Sequence, residues 1–204
     1  MMDEQWKKTF ADIVKNEFPA FIQMLERNLD FDHWGFARVF SGVGKFTPVV
    51  IYASEACRVM FAWRTPDHLH DSMPTMQVYY GRLHAPNDEE IIIWNGRSCY
   101  CWHDVEKALY FLDGVSPDEV AKNKFGSPNI WRQCRESSLP GWTQQEYMAR
   151  MHAALWKHYG QRLFDLFDLR QPVVWEQYSL FLAEYERLEP GFTLSGYPGR
   201  DKIC

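Results

Sequence analysis

Long apolar runs are absent from this chain of 204 residues. A membrane-spanning helix needs about 20 consecutive apolar residues, and charged residues interrupt every stretch of that length. The opening segment, MMDEQWKKTFADIVKNEF, is charged and amphipathic, without the apolar region and cleavage site of a secretory signal. We therefore expect a cytoplasmic protein with no membrane partner.

Clustered basic residues are also absent. The chain has 22 basic and 27 acidic residues, which gives a net charge of −5. Residues 61–120 hold 4 basic and 10 acidic residues, and residues 121–204 hold 11 and 9. Because nucleic-acid binding depends on grouped Lys and Arg, we expect no nucleic-acid partner. The acidic middle segment suits either a basic partner or solvent, and we favour solvent.

Cysteine is scarce, and the common catalytic motifs are missing. Five cysteines without framework spacing indicate reduced thiols. The chain contains no CxxC, P-loop, GxGxxG, GxSxG or HExxH motif. Gly42 and Gly44 fall between predicted strands, with no following helix to complete a phosphate cradle. We predict no cofactor.

Apolar spacing predicts helix, then sheet, then helices. An amphipathic helix is expected over residues 3–29, with a kink or break near Glu17 because Pro19 lacks an N–H. Four segments rich in β-branched and aromatic residues follow: GFARVFSG, PVVIYAS, CRVMFAWR and MQVYYGRLH. The alternation in CRVMFAWR indicates a half-buried strand.

Asn95-Gly96 lies between two β-rich runs and predicts a two-residue hairpin turn. Such a turn fixes the pairing of the flanking strands as Trp94 with Arg97, Ile93 with Ser98, Ile92 with Cys99, and Glu90 with Cys101. Both faces of this hairpin are apolar, so we expect it to lie centrally in the sheet, covered on both sides.

Capping sequences mark the later helices. The predicted elements are a helix at 105–113 ended by Gly114, a start at SPDE (116–119), a helix from TQQE (143–146) to about 168, and a last helix from Pro172 to before Pro190. The chain is therefore predicted to be a single α+β domain over residues 1–204. An antiparallel, meander-like sheet of about six strands, at about 35–103, packs against the N-terminal helix and a C-terminal helical pair at about 143–190.

The stretch RSCYCWHD presents Cys99, Cys101 and His103 at alternate positions of a predicted strand. A zinc site there would need a fourth ligand, such as Cys57. Alternatively, Cys101 with His103 as its base could act as a catalytic thiol at the start of a helix. We favour a third interpretation, in which both cysteines are small buried core residues.

Two loops offer weaker candidate sites. His68, His70 and Asp71 combine metal-binding residue types, although their order does not fit the HxHxDH pattern of metallo-hydrolases and a solvated loop is favoured. Arg82 and His84 fall near a strand end, where the guanidinium could bind a carboxylate or phosphate. Pairing of Arg82 with the nearby acidic run is the favoured alternative.

The function that these features favour is a non-catalytic binding or regulatory role, exercised through a protein partner or a homodimer. The homodimer is suggested by the wide arc of aromatic residues on the two C-terminal helices, which one sheet face cannot cover. The alternative is a small enzyme that uses Cys101 with His103, or Arg82 with His84. A shared cleft for those residues would favour the enzyme.

Native-state alkylation tests the core interpretation of the hairpin thiols. We expect Cys99 and Cys101 to resist an alkylating reagent until the protein unfolds, because buried thiols react slowly. Mass spectrometry of tryptic peptides measures the modification. Rapid labelling of either thiol, or stoichiometric zinc in the purified protein, would contradict the prediction.

Overall fold

The structure is a computed structural model. It describes residues 11–43, 48–64, 75–82, 92–94, 97–99, 102–122, 143–168 and 170–188.

The first described helix starts with a π-helical turn, Ile13–Glu17, and continues as α1, Phe18–Asn28. The Phe18 N–H donates to the Ile13 carbonyl and closes the wide turn. Pro19 lies in the first turn of α1, where its missing N–H costs no hydrogen bond within that helix. The backbone stays helical at Glu17 and Phe18, so the break predicted near Glu17 is absent and the irregularity there is a π turn.

The main sheet is an antiparallel meander of four strands, extended at one edge by a short fifth strand. The meander strands are β1 (Ala37–Val43), β2 (Pro48–Ala53), β3 (Cys57–Arg64) and β4 (Thr75–Arg82). The fifth strand, Trp102–Asp104, pairs with β4 in antiparallel register. It is called β7 because the two hairpin strands described below precede it in the chain. The α+β class is confirmed, whereas the prediction of a continuous sheet of about six strands is wrong.

The hairpin is the reason for that difference. Strands β5 (Ile92–Trp94) and β6 (Arg97–Cys99) pair in the predicted register but form a separate two-stranded sheet. The prediction of a central hairpin is therefore wrong. A tight turn determines only the pairing of its own two strands, and contacts remote in sequence decide where the pair lies. The predicted pairing of Glu90 with Cys101 lies outside the described residues.

Strand β3 is buried on both faces, not on one as predicted. Its helix-facing residues include Val59, Phe61 and Trp63, which belong to the main core. Met60 and Ala62 are also buried, in a smaller cluster with Val49 on the opposite face. Burial on both faces explains why both alternating sets are apolar in the middle of the strand, from Val59 to Trp63, whereas Arg58 and Arg64 lie near its ends.

Three helical segments follow the sheet with the predicted caps. Helix α2, Val105–Leu112, ends before Gly114, whose φ is +71°. Helix α3, Pro117–Lys122, starts at the Ser116–Glu119 capping box. Helix α4, Gln144–Tyr159, starts at the Thr143–Glu146 capping box.

The helix predicted from 144 to about 168 is broken at Gly160, which separates α4 from α5, Gln161–Asp165. The last helix, α6, runs over Pro172–Leu188 as predicted. Most aromatic residues that suggested a homodimer are buried within the single chain: Trp156, Phe164, Phe167, Tyr178, Phe181 and Tyr185. They therefore give no support to a dimer, which stays a prediction. No helix in the described ranges is long and apolar enough to cross a bilayer.

Replacement of Gly160 by Ala tests the helix break. Gly160 has φ +56°, and an added Cβ would lie 3.2 Å from the Trp34 ring. We expect Gly160→Ala to lower the free energy of unfolding by about 1–3 kcal/mol, because positive φ and crowding add. Urea unfolding measures the loss. Gly114→Ala is the matched control, since Gly114 has φ +71° and open space around it. A loss no larger than that of the control would rule out crowding against Trp34.

Candidate functional site

The structure separates the residues of the predicted Cys/His site. Cys99 belongs to β6 of the hairpin, whereas His103 belongs to β7 of the main sheet. The prediction that they share one strand is therefore wrong. Cys101, His84, His68, His70 and Asp71 lie outside the described residues. Within the described ranges, no group of His, Cys, Asp or Glu could hold a metal ion.

The sheet register does bring two other candidates close together. Arg82 of β4 pairs with Cys57 of β3, and His103 of β7 pairs with Tyr80 of β4. The positions of Arg82 and His103 are thus diagonal neighbours on adjacent strands. Cys57, suggested above as a fourth zinc ligand, is a free and fully buried cysteine.

A buried polar cluster lies between this end of the sheet and α4. The Trp156 indole N–H donates to the Tyr80 hydroxyl oxygen over 2.7 Å. The same hydroxyl lies 3.2 Å from His152 Nδ1. Because the hydroxyl oxygen already accepts from the indole, its own proton is free to be donated to Nδ1. Nε2 of the neutral imidazole then carries the proton, and it has no partner among the described residues.

Burial keeps every member of this cluster neutral. It lowers the pKa of His152 to about 3. It also raises the pKa of the Tyr80 hydroxyl and that of the Cys57 thiol. At neutral pH the imidazole is uncharged, and neither the phenol nor the thiol ionises. A reactive cysteine needs an accessible thiolate, so this cluster has the properties of a core network.

An open pocket of about 580 Å³ lies on the surface, at the C-terminal end of α1. It is bordered by that helix, by the segment that leads to β1, by the first residues of β1 and by one tyrosine of β2. We call it the α1–β1 groove. Its lining residues are Glu26, Arg27, Asn28, Leu29, Asp30, Phe31, Asp32, Phe36, Ala37, Arg38 and Tyr52.

A linked set of polar contacts centres on Glu26. Its Oε1 accepts a hydrogen bond from the Tyr52 hydroxyl over 3.2 Å and lies 3.3 Å from Arg38 Nη1. Burial, reinforced by the charge of Glu26, raises the pKa of Tyr52, so the phenol remains a neutral donor. The Tyr52 ring stacks on Phe31, with ring centroids 3.9 Å apart. One carboxylate is therefore held in place by a buried phenol and a surface guanidinium.

The other charged groups of the groove are less engaged. Asp30 accepts a hydrogen bond from the His33 backbone N–H over 3.2 Å. Asp32 and Arg27 are exposed, and neither makes a side-chain hydrogen bond or ion pair with another described residue. These groups are available to bind a ligand from solution.

The groove continues into the edge of β1, which is unpaired within the described part of the chain. Strand β1 pairs with β2 alone among the described strands. It exposes Val39 and Val43, at 51 % and 43 % of their accessible surface. The β1–β2 register shifts between Arg38 and Phe40, which leaves Val39 in a bulge. The pocket and the free edge therefore form one continuous surface.

No motif in the sequence marks the groove residues as a site. The segment DFDHWGFAR, residues 30–38, joins a predicted helix to a predicted strand and mixes charged with aromatic residues. Such a loop is a place where binding residues concentrate. Nothing local, however, connects Glu26 with Tyr52, because their contact depends on how α1 packs across the sheet.

Comparison with known proteins gives no match: no family model, no curated protein and no solved structure matches this chain.

The pKa of His152 predicts a specific loss of stability in acid. Its folded-state pKa of about 3 lies below the ordinary value of 6.5, so its contribution is fully present above pH 6.5 and is lost as the pH falls toward 3. The slope reaches about 1.4 kcal/mol per pH unit for one proton. We expect His152→Gln to remove this slope in urea unfolding measured from pH 7 to pH 4. His158→Gln, at an exposed position of the same helix, is the control and should keep it. Equal slopes for wild type and His152→Gln would contradict the prediction.

Proposed function

We propose that this chain is a non-catalytic binding or regulatory protein of the cytoplasm, and that it holds a protein partner at the α1–β1 groove and the adjoining edge of β1. The observation that carries the proposal is the continuity of an open, charged pocket with a strand edge that no other described strand pairs with. Main-chain groups on a free edge can bind another chain, and an adjacent pocket adds selectivity for the side chains of that second chain.

The buried thiol, phenol and imidazole beneath the sheet also favour binding over catalysis. Cys57, Tyr80 and His152 are fully buried, and their shifted pKa values keep them neutral at pH 7. Catalytic side chains must reach a substrate, which these three do not. The groove, in contrast, presents carboxylates and guanidiniums to solvent.

A second candidate function is the small enzyme with an Arg/His site. It is favoured by the register that places Arg82 opposite Cys57 and His103 opposite Tyr80 on successive strands. We rank it second because Cys57 and Tyr80, which pair with Arg82 and His103, are completely buried. A substrate would therefore need access to a closed end of the sheet.

Site-specific photo-crosslinking tests the binding function. We expect benzoylphenylalanine at Val39 to give one discrete adduct, in the cells that produce the protein, because Val39 lies on the free edge. The same probe at Val173, an exposed position at the start of α6, should give none. Denaturing gels and mass spectrometry measure both.

Irradiation of the purified protein separates a partner from self-association. An adduct of two 24.2 kDa chains would identify a homodimer, whereas a heterologous adduct found only in cells identifies another protein. Equal labelling from Val39 and Val173, or no adduct from either, would refute the binding function at this surface.

A further inference from the structure

We propose that the partner segment is an extended strand that pairs with β1 and places a basic side chain, arginine or lysine, in the α1–β1 groove. This inference rests on the proposed function and specifies the chemistry of the partner. It follows from three observations: the free edge of β1, the bulge in that strand, and the charge of the groove.

The free edge provides main-chain hydrogen-bonding groups. Strand β1 is the terminal strand of the main sheet, with β2 on one side and no described strand on the other. An unpaired edge with exposed valines readily accepts another strand. Val39 and Val43 are both substantially exposed and lie four residues apart on this edge. A partner strand would cover them.

The bulge limits how much of β1 such a strand can use. Regular pairing with β2 is interrupted after Arg38 and runs without a break from Phe40 to Val43. A ladder with four residues is short and forms few main-chain hydrogen bonds. Backbone pairing alone would therefore bind weakly and without selectivity. A stable complex needs an additional anchor close to the bulge.

The groove lies where that anchor is needed. Ala37 and Arg38, the first residues of β1, line the groove. A strand rises about 3.3 Å per residue, so a segment that pairs with residues 40–43 reaches the groove within a few residues. The pocket, about 580 Å³ in volume, is large enough for one long side chain with water around it.

The charge of the groove selects a basic side chain. Its carboxylates are Glu26, Asp30 and Asp32, and its guanidiniums are Arg27 and Arg38. Because Arg38 is paired with Glu26, two carboxylates remain against one guanidinium. Phe31 and Tyr52 provide aromatic surface in the same pocket, along which the aliphatic stem of Arg or Lys can pack. The cationic head would then lie near Asp30 and Asp32.

Selection from a random library of displayed nine-residue peptides, on the immobilised full chain, tests the proposal. We expect the enriched peptides to share one Arg or Lys position, flanked by β-branched residues. Fluorescence anisotropy of the best peptide should show binding weakened at least tenfold by Asp30→Asn with Asp32→Asn. The matched control, Glu17→Gln with Glu176→Gln, removes two exposed carboxylates outside the groove and should change the Kd less than twofold.

N-methylation along the selected peptide tests strand pairing without altering the protein. In an added antiparallel strand, alternate N–H groups donate to the edge. Methylation at every second position should therefore abolish binding, whereas methylation at the intervening positions should be tolerated. Uniform tolerance would overturn the strand geometry.

Several results would overturn the inference. In the selection, these are enrichment of acidic or purely apolar peptides, or no enrichment at all. In the anisotropy measurement, it is an unchanged Kd for the Asp30/Asp32 variant. In sedimentation, it is self-association of the chain through β1. Its failure is distinguishable from failure of the proposed function. A heterologous adduct specific to Val39 would preserve the binding role even if the selected peptides were not basic.

Discussion

The indole of Trp156 is the point at which four parts of the chain meet. Its ring packs against Phe31 and Phe36 from the segment between α1 and β1, and against Phe164 from α5, at centroid distances of 5.2, 5.1 and 5.3 Å. Its N–H donates to the Tyr80 hydroxyl of β4. A buried indole contributes a large apolar area, and its single donor needs a partner. Helix α4, the sheet and the α1–β1 segment are all positioned around this one side chain.

The shape of the α1–β1 groove depends on that same contact. Phe31 lies between Trp156 and Tyr52, edge-on to the first and stacked on the second. Tyr52 in turn donates its hydroxyl proton to Glu26. The groove carboxylate is thus connected to the core through a row of three aromatic rings, and side chains packed in this way change position little. This wall of the groove is therefore ordered in the free protein.

Features determined by neighbouring residues could be predicted from the sequence, and features determined by distant ones could not. The Ser116–Glu119 and Thr143–Glu146 capping boxes, and the register that follows Asn95-Gly96, depend on a few adjacent residues and are confirmed. The break at Gly160 accompanies close packing of Trp34, which is remote in sequence. The separate position of the hairpin and the convergence of Glu26, Arg38 and Tyr52 likewise depend on tertiary contacts. Periodicity along the chain contains no information about these.

The order of the elements along the chain has a consequence for biosynthesis. Strands β2, β3 and β4 each pair with the strand that precedes them, so the ladder can form while the polypeptide is still being made. The helix-facing side of that sheet, with Val59, Phe61 and Trp63, belongs to the same core as Leu155 and Trp156 of α4. Helix α4 starts only at Gln144. Helix α1 is made before the sheet and contacts Phe61 and Trp63 through Phe18 and Phe21. On the ribosome, the part of the face that α4 covers, around Tyr80, therefore stays exposed until α4 has been synthesised.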